Sequence, residues 1–476
     1  MNTPVDDFVR DVVIVGGGIA GLSAAWYAQE AGLSYAVIEA GERWGGKVHT
    51  ETIDIGRDEP LRIEHAPDGF ITRKSGMMAL VQSLGIENAL IPVNDTPERI
   101  YVLVGDRLRA LPDGLHLLAP TKLWPFLRSD LFTWRGKLRV LAERFIPPKR
   151  DDADESLADF ITRRLGREAL HKLGEPLLAG VYNADANRQS IMATFGNFRK
   201  IEAEYGSLIR GLRKLSRGKR DSSPALMSFC AGMGELVDAI TARLTGDLRI
   251  ETTVQHIARA DNGYIIHTSG GELHAHNVIV ASSANVAADL LRDVAPESSA
   301  ELSYIRYTGV GSVSLAYRAE DVAHPMDAYG IVIPSAEGHQ IDGGHQIDGI
   351  TYTSAKWPNR APHGVALIRV FFGGVHTPHM LDLPDEERLH IIRAEMRAIM
   401  GIQAEPIAHH GAVWRDAYPQ YDLGHAERVR MIESALPDGL HVTGNAYHGI
   451  GLPDTVSASA RIIKTIGDGR HEHITI

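Results

Sequence analysis

The sequence predicts an α/β fold joined to α+β parts: a discontinuous Rossmann-like domain, a mixed-sheet domain and a helical domain. Three observations lead there. A strand, a G-x-G-x-x-G turn and an alanine-rich helix open the chain in DVVIVGGGIAGLSAAWYAQEAGLSYAVIEA. A second glycine-rich loop, GNAYHGIGLPDTV, spans Gly444 to Val456. Between the two, LRIETTVQHIARADNGYIIHTSGGELHAHNVIVASS alternates apolar and polar residues, as sheet strands do.

The first unit reads as βαβ. Val12 to Val15 are a continuous apolar run suited to a buried parallel strand. Gly16 makes the tight turn, Gly18 lets the backbone approach a pyrophosphate, and Gly21 lets the helix lie close to the strand. The helix Leu22 to Ala31 ends at Gly32, and its N-terminus faces the phosphates with free N–H groups. A second strand, Tyr35 to Ile38, leads into Glu39, placed to accept hydrogen bonds from both ribose hydroxyls. Such a unit holds a dinucleotide; a ligand-free glycine turn would not need the strand, helix and acid together.

The middle stretch turns at Asp261 to Gly263 and at Gly270 to Gly271, then ends in the buried strand Val278 to Ala281. At the C-terminal loop, Val442 and Thr443 end a strand and Gly444 and Asn445 open a turn. Gly449 and Gly451 allow close backbone approach beside Leu452, and Pro453 and Asp454 start a helix. Its N-terminus would stabilise negative charge on a bound ring system, which makes the two glycine loops opposite ends of one cofactor site.

At 476 residues the chain is too long for one small core. The expected division assigns 1–90, 224–300 and 406–476 to the Rossmann-like domain, 91–111, 198–223 and 301–405 to the mixed-sheet domain, and 112–197 to the helical domain. A net charge of -11 disfavours nucleic-acid binding, which requires basic surface. One cysteine, Cys230, allows neither an intramolecular disulfide nor a thiolate zinc cluster and fits a reducing cytoplasm. The N-terminus lacks the regions of a signal peptide, and no apolar run has spanning length. Neither G-x-S-x-G nor H-E-x-x-H occurs.

After the βαβ unit, Arg43, Gly45, Gly46 and Lys47 in GERWGGKV resemble the extension of the FAD enzymes of the amine oxidase and protoporphyrinogen oxidase superfamily. The resemblance implies non-covalent FAD rather than NAD, with this segment along the pyrophosphate and flavin and the backbone of Val254 holding adenine. IEHAPDGFITRK, GVYNADANRQSIMATFGNF, KWPNRAPHG, WRDAYPQYDLGH and GNAYHGIGLPD together resemble the oxygen-dependent protoporphyrinogen and coproporphyrinogen oxidases of haem synthesis. The likeness runs almost end to end and is greatest to the soluble bacterial type acting on coproporphyrinogen III. Ala66, Ala184 and Gly196 depart from the family pattern.

The resemblance implies dehydrogenation of a porphyrinogen by the flavin, with dioxygen reoxidising it to hydrogen peroxide and no catalytic side chain. The protein must then supply a large apolar cavity, with cations for the substrate's propionates. Trp414 is implied at the flavin. Arg99 matches an arginine some members use for a propionate, Arg73 and Lys74 are candidate carboxylate partners, and Tyr182 and Asp185 line the cavity or fix a turn. Protoporphyrinogen IX is the alternative substrate. More distant readings are a flavin amine oxidase, against which the PQY-x-x-GH and GIGLPD segments argue, and an FAD- and porphyrin-binding protein without turnover. Haem-pathway enzymes acting downstream are the expected protein partners.

Residues 121–150 reverse the overall charge: eight Lys or Arg stand against Asp130 and Glu143, interleaved with Trp124, Phe126, Phe132 and Trp134. Such a stretch can lie weakly on the inner face of a membrane, or its aromatics can pack inward. Ser156 and Asp159 form an N-cap box for LADFITRRLG. The tandem repeat GHQIDGGHQIDG, Gly338 to Gly349, reads as a duplicated surface loop or hairpin, with metal chelation as the other reading.

Overall fold

The computed structural model describes residues 5–94, 99–105, 107–116, 118–216, 226–334 and 344–474. A seven-stranded sheet forms its first layer, in the order Asp247–Arg249, Tyr35–Ile38, Val5–Val15, Gly271–Val280, Gly263–Thr268, Val254–Ala260, with Leu440–Val442 also pairing Gly271–Val280. The strands from the start, middle and end of the chain are parallel, through Val13↔Ala36, Val13↔Val278 and Val278↔Leu440. Val12, Val13 and Ile14 are completely buried, as a strand covered on both faces must be. The helix Ile19–Glu30 crosses between the first two strands, and Leu452–Ile474 packs beside it through a 2.9 Å bond from Ser459 Oγ to the Ala20 carbonyl. Parallel pairing of Leu440–Val442 is what carries the second glycine loop to the first.

A second, mixed seven-stranded sheet runs Ala408–Pro419, Tyr307–Arg318, Val365–Gly373, Gly349–Thr351, Gly330–Val332, Ile100–Val104, Arg107–Ala110. Ala408–Pro419 pairs along Tyr307–Arg318 from Ala316↔Ala408 to Tyr307↔Pro419. The boundary expected at 406 therefore falls at the edge strand of this sheet, not at the start of the first.

The third part is helical, with a core that includes Phe126, Phe132, Phe160, Leu173 and Phe198. It reaches past the expected limit at 197, because Ile191–Tyr205 and Leu208–Ser216 bury Phe198, Leu208 and Ile209 in that same core. Ser156 caps Leu157–Arg164 as the sequence predicts: its Oγ accepts from the Asp159 amide at 3.0 Å and donates to the Asp159 carboxylate at 2.8 Å. The basic stretch divides its labour. Arg139 donates to the carbonyls of Thr162, Arg163 and Arg164, closing the far end of that helix, and Lys137 holds the Leu127 carbonyl at 2.8 Å. Phe126 and Phe132 pack inward, whereas Trp124, Trp134, Leu138 and Phe145 are 64%, 68%, 65% and 72% exposed. Among the described residues, no helix is long and apolar enough to cross a membrane.

Of the tandem repeat, the first copy lies outside the described residues. The second is not purely superficial: the strands Gly330–Val332 and Gly349–Thr351 are arms of a hairpin, Ile347 is buried, and the Asp348 amide donates to the Phe371 carbonyl at 2.8 Å.

Candidate active site

One continuous cavity of about 1370 Å³ runs from the first glycine loop to the mixed sheet. Pockets for one small ligand span roughly 300–1,000 Å³, so this one has room for an extended cofactor and a second large molecule. Gly16, Gly18, Glu39, Arg43, Gly45, Gly46 and Lys47 line it from the N-terminal side, Val254 from the meander, and Trp414, Gly444, Asn445, Gly451 and Leu452 from the C-terminal side.

The glycines have distinct duties. Gly16 has φ +112, and a Cβ there would stand 2.8 Å from the Ala281 carbonyl oxygen. Gly21 does not reach the cavity; a Cβ on it would lie 1.9 Å from the Gly16 carbonyl oxygen, so it is the contact point of helix and loop. A Cβ on Gly18 would meet nothing within 4 Å, which leaves the backbone open to a ligand. Gly18 also precedes Ile19–Glu30 with no side-chain cap, so the helix N–H groups face the cavity uncovered. The Gly45 amide donates to the Gly17 carbonyl at 2.8 Å, fastening the second turn against the first, and Arg43 donates to the Gly46 carbonyl at 2.7 Å within the second turn. Glu39 accepts from the Gly17 and Gly41 amides at 2.6 and 2.7 Å. Each oxygen keeps a further lone pair for a ligand hydroxyl.

Lys47 donates to the Ala417 carbonyl at 2.8 Å. Burial lowers it to about 8, partly opposed by Asp416. Trp414 donates through Nε1 to the His65 carbonyl at 3.1 Å.

The C-terminal loop is held by Tyr421. Its hydroxyl donates to the Asn445 carbonyl and accepts from the Gly449 amide, both at 2.9 Å. Gly449 and Pro453 stand behind the loop rather than on the cavity wall: a Cβ on Gly449 (φ +137) would lie 2.7 Å from the Asp454 side chain, and Pro453 gives its carbonyl to Ser457 at 2.8 Å. Tyr421→Phe is expected to remove both loop bonds and speed flavin loss on dilution about thirtyfold, since two hydrogen bonds contribute roughly 1 kcal/mol each and about 1.4 kcal/mol is a factor of ten. The rise of flavin fluorescence with time measures this, and an unchanged rate would mean that the loop is held elsewhere.

The five residues expected at the substrate are not part of the cavity lining. Lys74 pairs with Asp454 at 2.5 Å, Arg73 is exposed, and Arg99 stands on the outside, 3.7 Å from Asp327. Tyr182 is buried in an aromatic group with Tyr421 and Phe195, and its carbonyl accepts from Gln420. Asp185 accepts from the Asn187 amide at 2.9 Å and fixes a turn. Their neighbours Val181 and Asn183 face the cavity instead. The reason is local: a π-helix, Leu170–Ala179, runs into a short helical turn, Gly180–Tyr182, and rotates Tyr182 inward.

The far wall comes from the mixed sheet and adjoining loops, with Pro67, Val310, Phe371 and Ile450 as apolar surface and Arg369 and Asp348 as ionisable groups. Arg369 donates to Ser312 Oγ at 3.0 Å and to the Ala66 carbonyl at 2.8 Å. Burial lowers its pKa, against the pull of Asp68 and Glu64. Neither Arg369 nor Asp348 has a sequence signal, since each sits on a strand or hairpin whose facing is set by sheet register.

Asp348 Oδ2 is sealed from solvent without a hydrogen-bond partner, and burial raises the carboxyl from 3.8 to about 7. An acid whose folded pKa is raised keeps a proton that the unfolded chain has lost, so its contribution to stability declines as pH rises from about 4 to about 7. Asp348→Asn is thus expected to melt above the wild type at pH 8, with the gap closing by pH 4. A pH-independent gap would assign the effect to packing.

The family-like segments meet one another around this wall. Asp68 accepts from Lys356 Nζ at 2.8 Å and Trp357 Nε1 at 3.0 Å. Burial raises the Asp68 pKa, but Lys356 and Trp357 outweigh it and leave it lowered. Arg360, fully buried, donates to Ser228 Oγ and the Phe229 carbonyl.

The sequence model for flavin containing amine oxidoreductases matches residues 19–462. Coproporphyrinogen III oxidase of Bacillus subtilis is 31% identical over 95% of this chain and 97% of its own length. Protoporphyrinogen oxidase of rice chloroplasts is 30% identical, over 96% of this chain and 88% of its own. Among solved structures, an Exiguobacterium protein named as a candidate protoporphyrinogen oxidase superposes with TM-score 0.84 at 28% identity, covering 98% of this chain and 99% of that one.

Proposed function

The chain belongs to the flavin containing amine oxidoreductase family, and from that premise we propose that it is an FAD-dependent oxidase of coproporphyrinogen III, yielding coproporphyrin III and hydrogen peroxide. The observation that carries this reading is the cavity itself, which joins two glycine loops to a separate apolar wall and is too large for the cofactor alone. The residues fit FAD. Gly18 and the uncapped helix end would receive the pyrophosphate, Glu39 the ribose, Val254 the adenine side, and the loop Gly444–Leu452 the flavin ring. Bound there, the flavin supplies two-electron oxidation, with dioxygen as final acceptor.

The protein's own share is positional. Val310, Phe371 and Pro67 offer apolar surface to a macrocycle, and Arg369, already oriented by Ser312 and Ala66, is the cation nearest in kind to a propionate partner. Arg99, Arg73 and Lys74 would meet a propionate only where it projects to the exterior.

Mixing FAD-loaded protein in air with coproporphyrinogen III and, separately, protoporphyrinogen IX tests the assignment by porphyrin fluorescence. Faster formation of coproporphyrin supports it. Faster protoporphyrin formation would favour the second reading, to which the rice relative lends weight. Flavin that stays oxidised when porphyrinogen is added without oxygen would point to binding without turnover.

We also propose cytoplasmic residence with weak peripheral membrane contact through 121–150. Trp124, Trp134, Leu138 and Phe145 are outward, with Arg128, Lys137 and Arg144 placed over the rings of Trp124, Trp134 and Phe145 in turn. Anionic vesicles are expected to retain the wild type at low salt and to release a Trp124→Ala/Trp134→Ala variant; equal retention would remove the segment from the interface.

A further inference from the structure

Beside the cavity, three histidines and a glutamate converge where the hairpin Thr50–Ile53/Leu61–Glu64 meets the edge strand Ala408–Pro419. Thr50 pairs with Glu64, so the next position out sets His49 against His65, whose amide donates to the His49 carbonyl at 2.9 Å. Their rings lie 4.4 Å apart, and that of His410 lies 4.9 Å from His65. Both His65 Nε2 and His410 Nε2 stand 2.9 Å from the same oxygen of Glu51. The ligating atoms of His49, Glu51 and His65 all lie within 4.8 Å of one another. The side chains of His65, His410 and Glu51 are 15%, 26% and 36% exposed, so a cation can enter from solvent.

We propose that His49, Glu51 and His65 bind one divalent transition-metal ion of the zinc type, with His410, already 2.9 Å from Glu51, turning in from the neighbouring strand as the fourth ligand. Imidazole and carboxylate together suit zinc rather than magnesium or calcium, which take oxygen ligands almost alone. Ligands at about 2.1 Å from tetrahedral zinc stand roughly 3.4 Å apart, so the two 2.9 Å contacts to Glu51 would open by about half an ångström, while wider spacings within the 4.8 Å envelope of His49, Glu51 and His65 would close. Four protein ligands fill the coordination shell, which makes the site structural rather than catalytic. The ion would clamp the hairpin to the mixed sheet next to Trp414, which already holds the His65 carbonyl.

The test is titration of chelator-treated, FAD-loaded protein with ZnCl2, followed by calorimetry and by thermal melting. One equivalent binding at micromolar affinity or tighter, with a raised melting temperature, is expected. His410→Ala should weaken binding at least about tenfold, and Glu51→Gln likewise, while His409→Ala, an exposed neighbour on the same strand, should leave it unchanged. Zinc X-ray absorption should show nitrogen and oxygen ligands only, with multiple scattering from the ring atoms of more than two imidazoles. Should His65→Ala lose its flavin, the His410 and Glu51 variants still decide the matter. Binding that is weaker than about 100 μM, or lost equally in His409→Ala and His410→Ala, would overturn the proposal in favour of a hydrogen-bonded histidine cluster.

Discussion

Gly21→Val is expected to purify without flavin colour and to oxidise porphyrinogen at least about 100-fold more slowly than the wild type. The cause is a collision, not a lost interaction. A Cβ at Gly21 would sit 1.9 Å from the Gly16 carbonyl oxygen and 3.2 Å from Ile14 Cγ2. The helix Ile19–Glu30 would have to lift from the strand, withdrawing the N–H groups that face the phosphates. Gly16 cannot give way, because its own φ of +112 and the Ala281 carbonyl fix it. Visible absorbance after purification and circular dichroism separate the outcomes: a folded, colourless protein is expected, and a yellow, active one would mean the loop adjusts at small cost.

Lys47→Met is expected to weaken FAD retention about 10- to 100-fold, the range for losing one charge-assisted hydrogen bond from a cavity-lining ammonium to the cofactor. It should also raise the melting temperature of the flavin-free protein below pH 8. The two effects oppose each other because burial lowers Lys47 from 10.5 to about 8. Below pH 8 the folded protein holds a desolvated charge at a cost, and between about 8 and 10.5 the unfolded chain binds the extra proton, so stability gains as pH rises through that window. Wild-type FAD affinity should accordingly fall above pH 8, and the variant should lack that step. If affinity in both proteins declines in parallel, Lys47 does not meet the cofactor.

Much of the cofactor side was legible locally. Gly16, Gly18 and Gly21 sit where the βαβ pattern predicts, and the second helix begins at Leu452, one residue before the expected Pro453. These signals are short-range: a buried apolar run, a turn that only glycine fits, a helix start. The cavity's far wall was not legible. Asp348 and Arg369 face inward through the register of Gly349–Thr351 against Val365–Gly373, which a change of one residue would reverse. Arg73, Lys74 and Arg99 carried the right charge for a propionate, yet Asp454 and Asp327 claim Lys74 and Arg99 outside the cavity.

By itself, then, the sequence determined a dinucleotide-binding α/β frame, closed by its own C-terminal loop, because strand, turn and helix starts are encoded within a few residues. Tertiary structure alone decided which charges face the cavity, that Tyr182 turns inward while Val181 and Asn183 look in, and that His49, Glu51, His65 and His410 meet. Those outcomes depend on register and on contacts between residues hundreds of positions apart, where no local pattern carries the information.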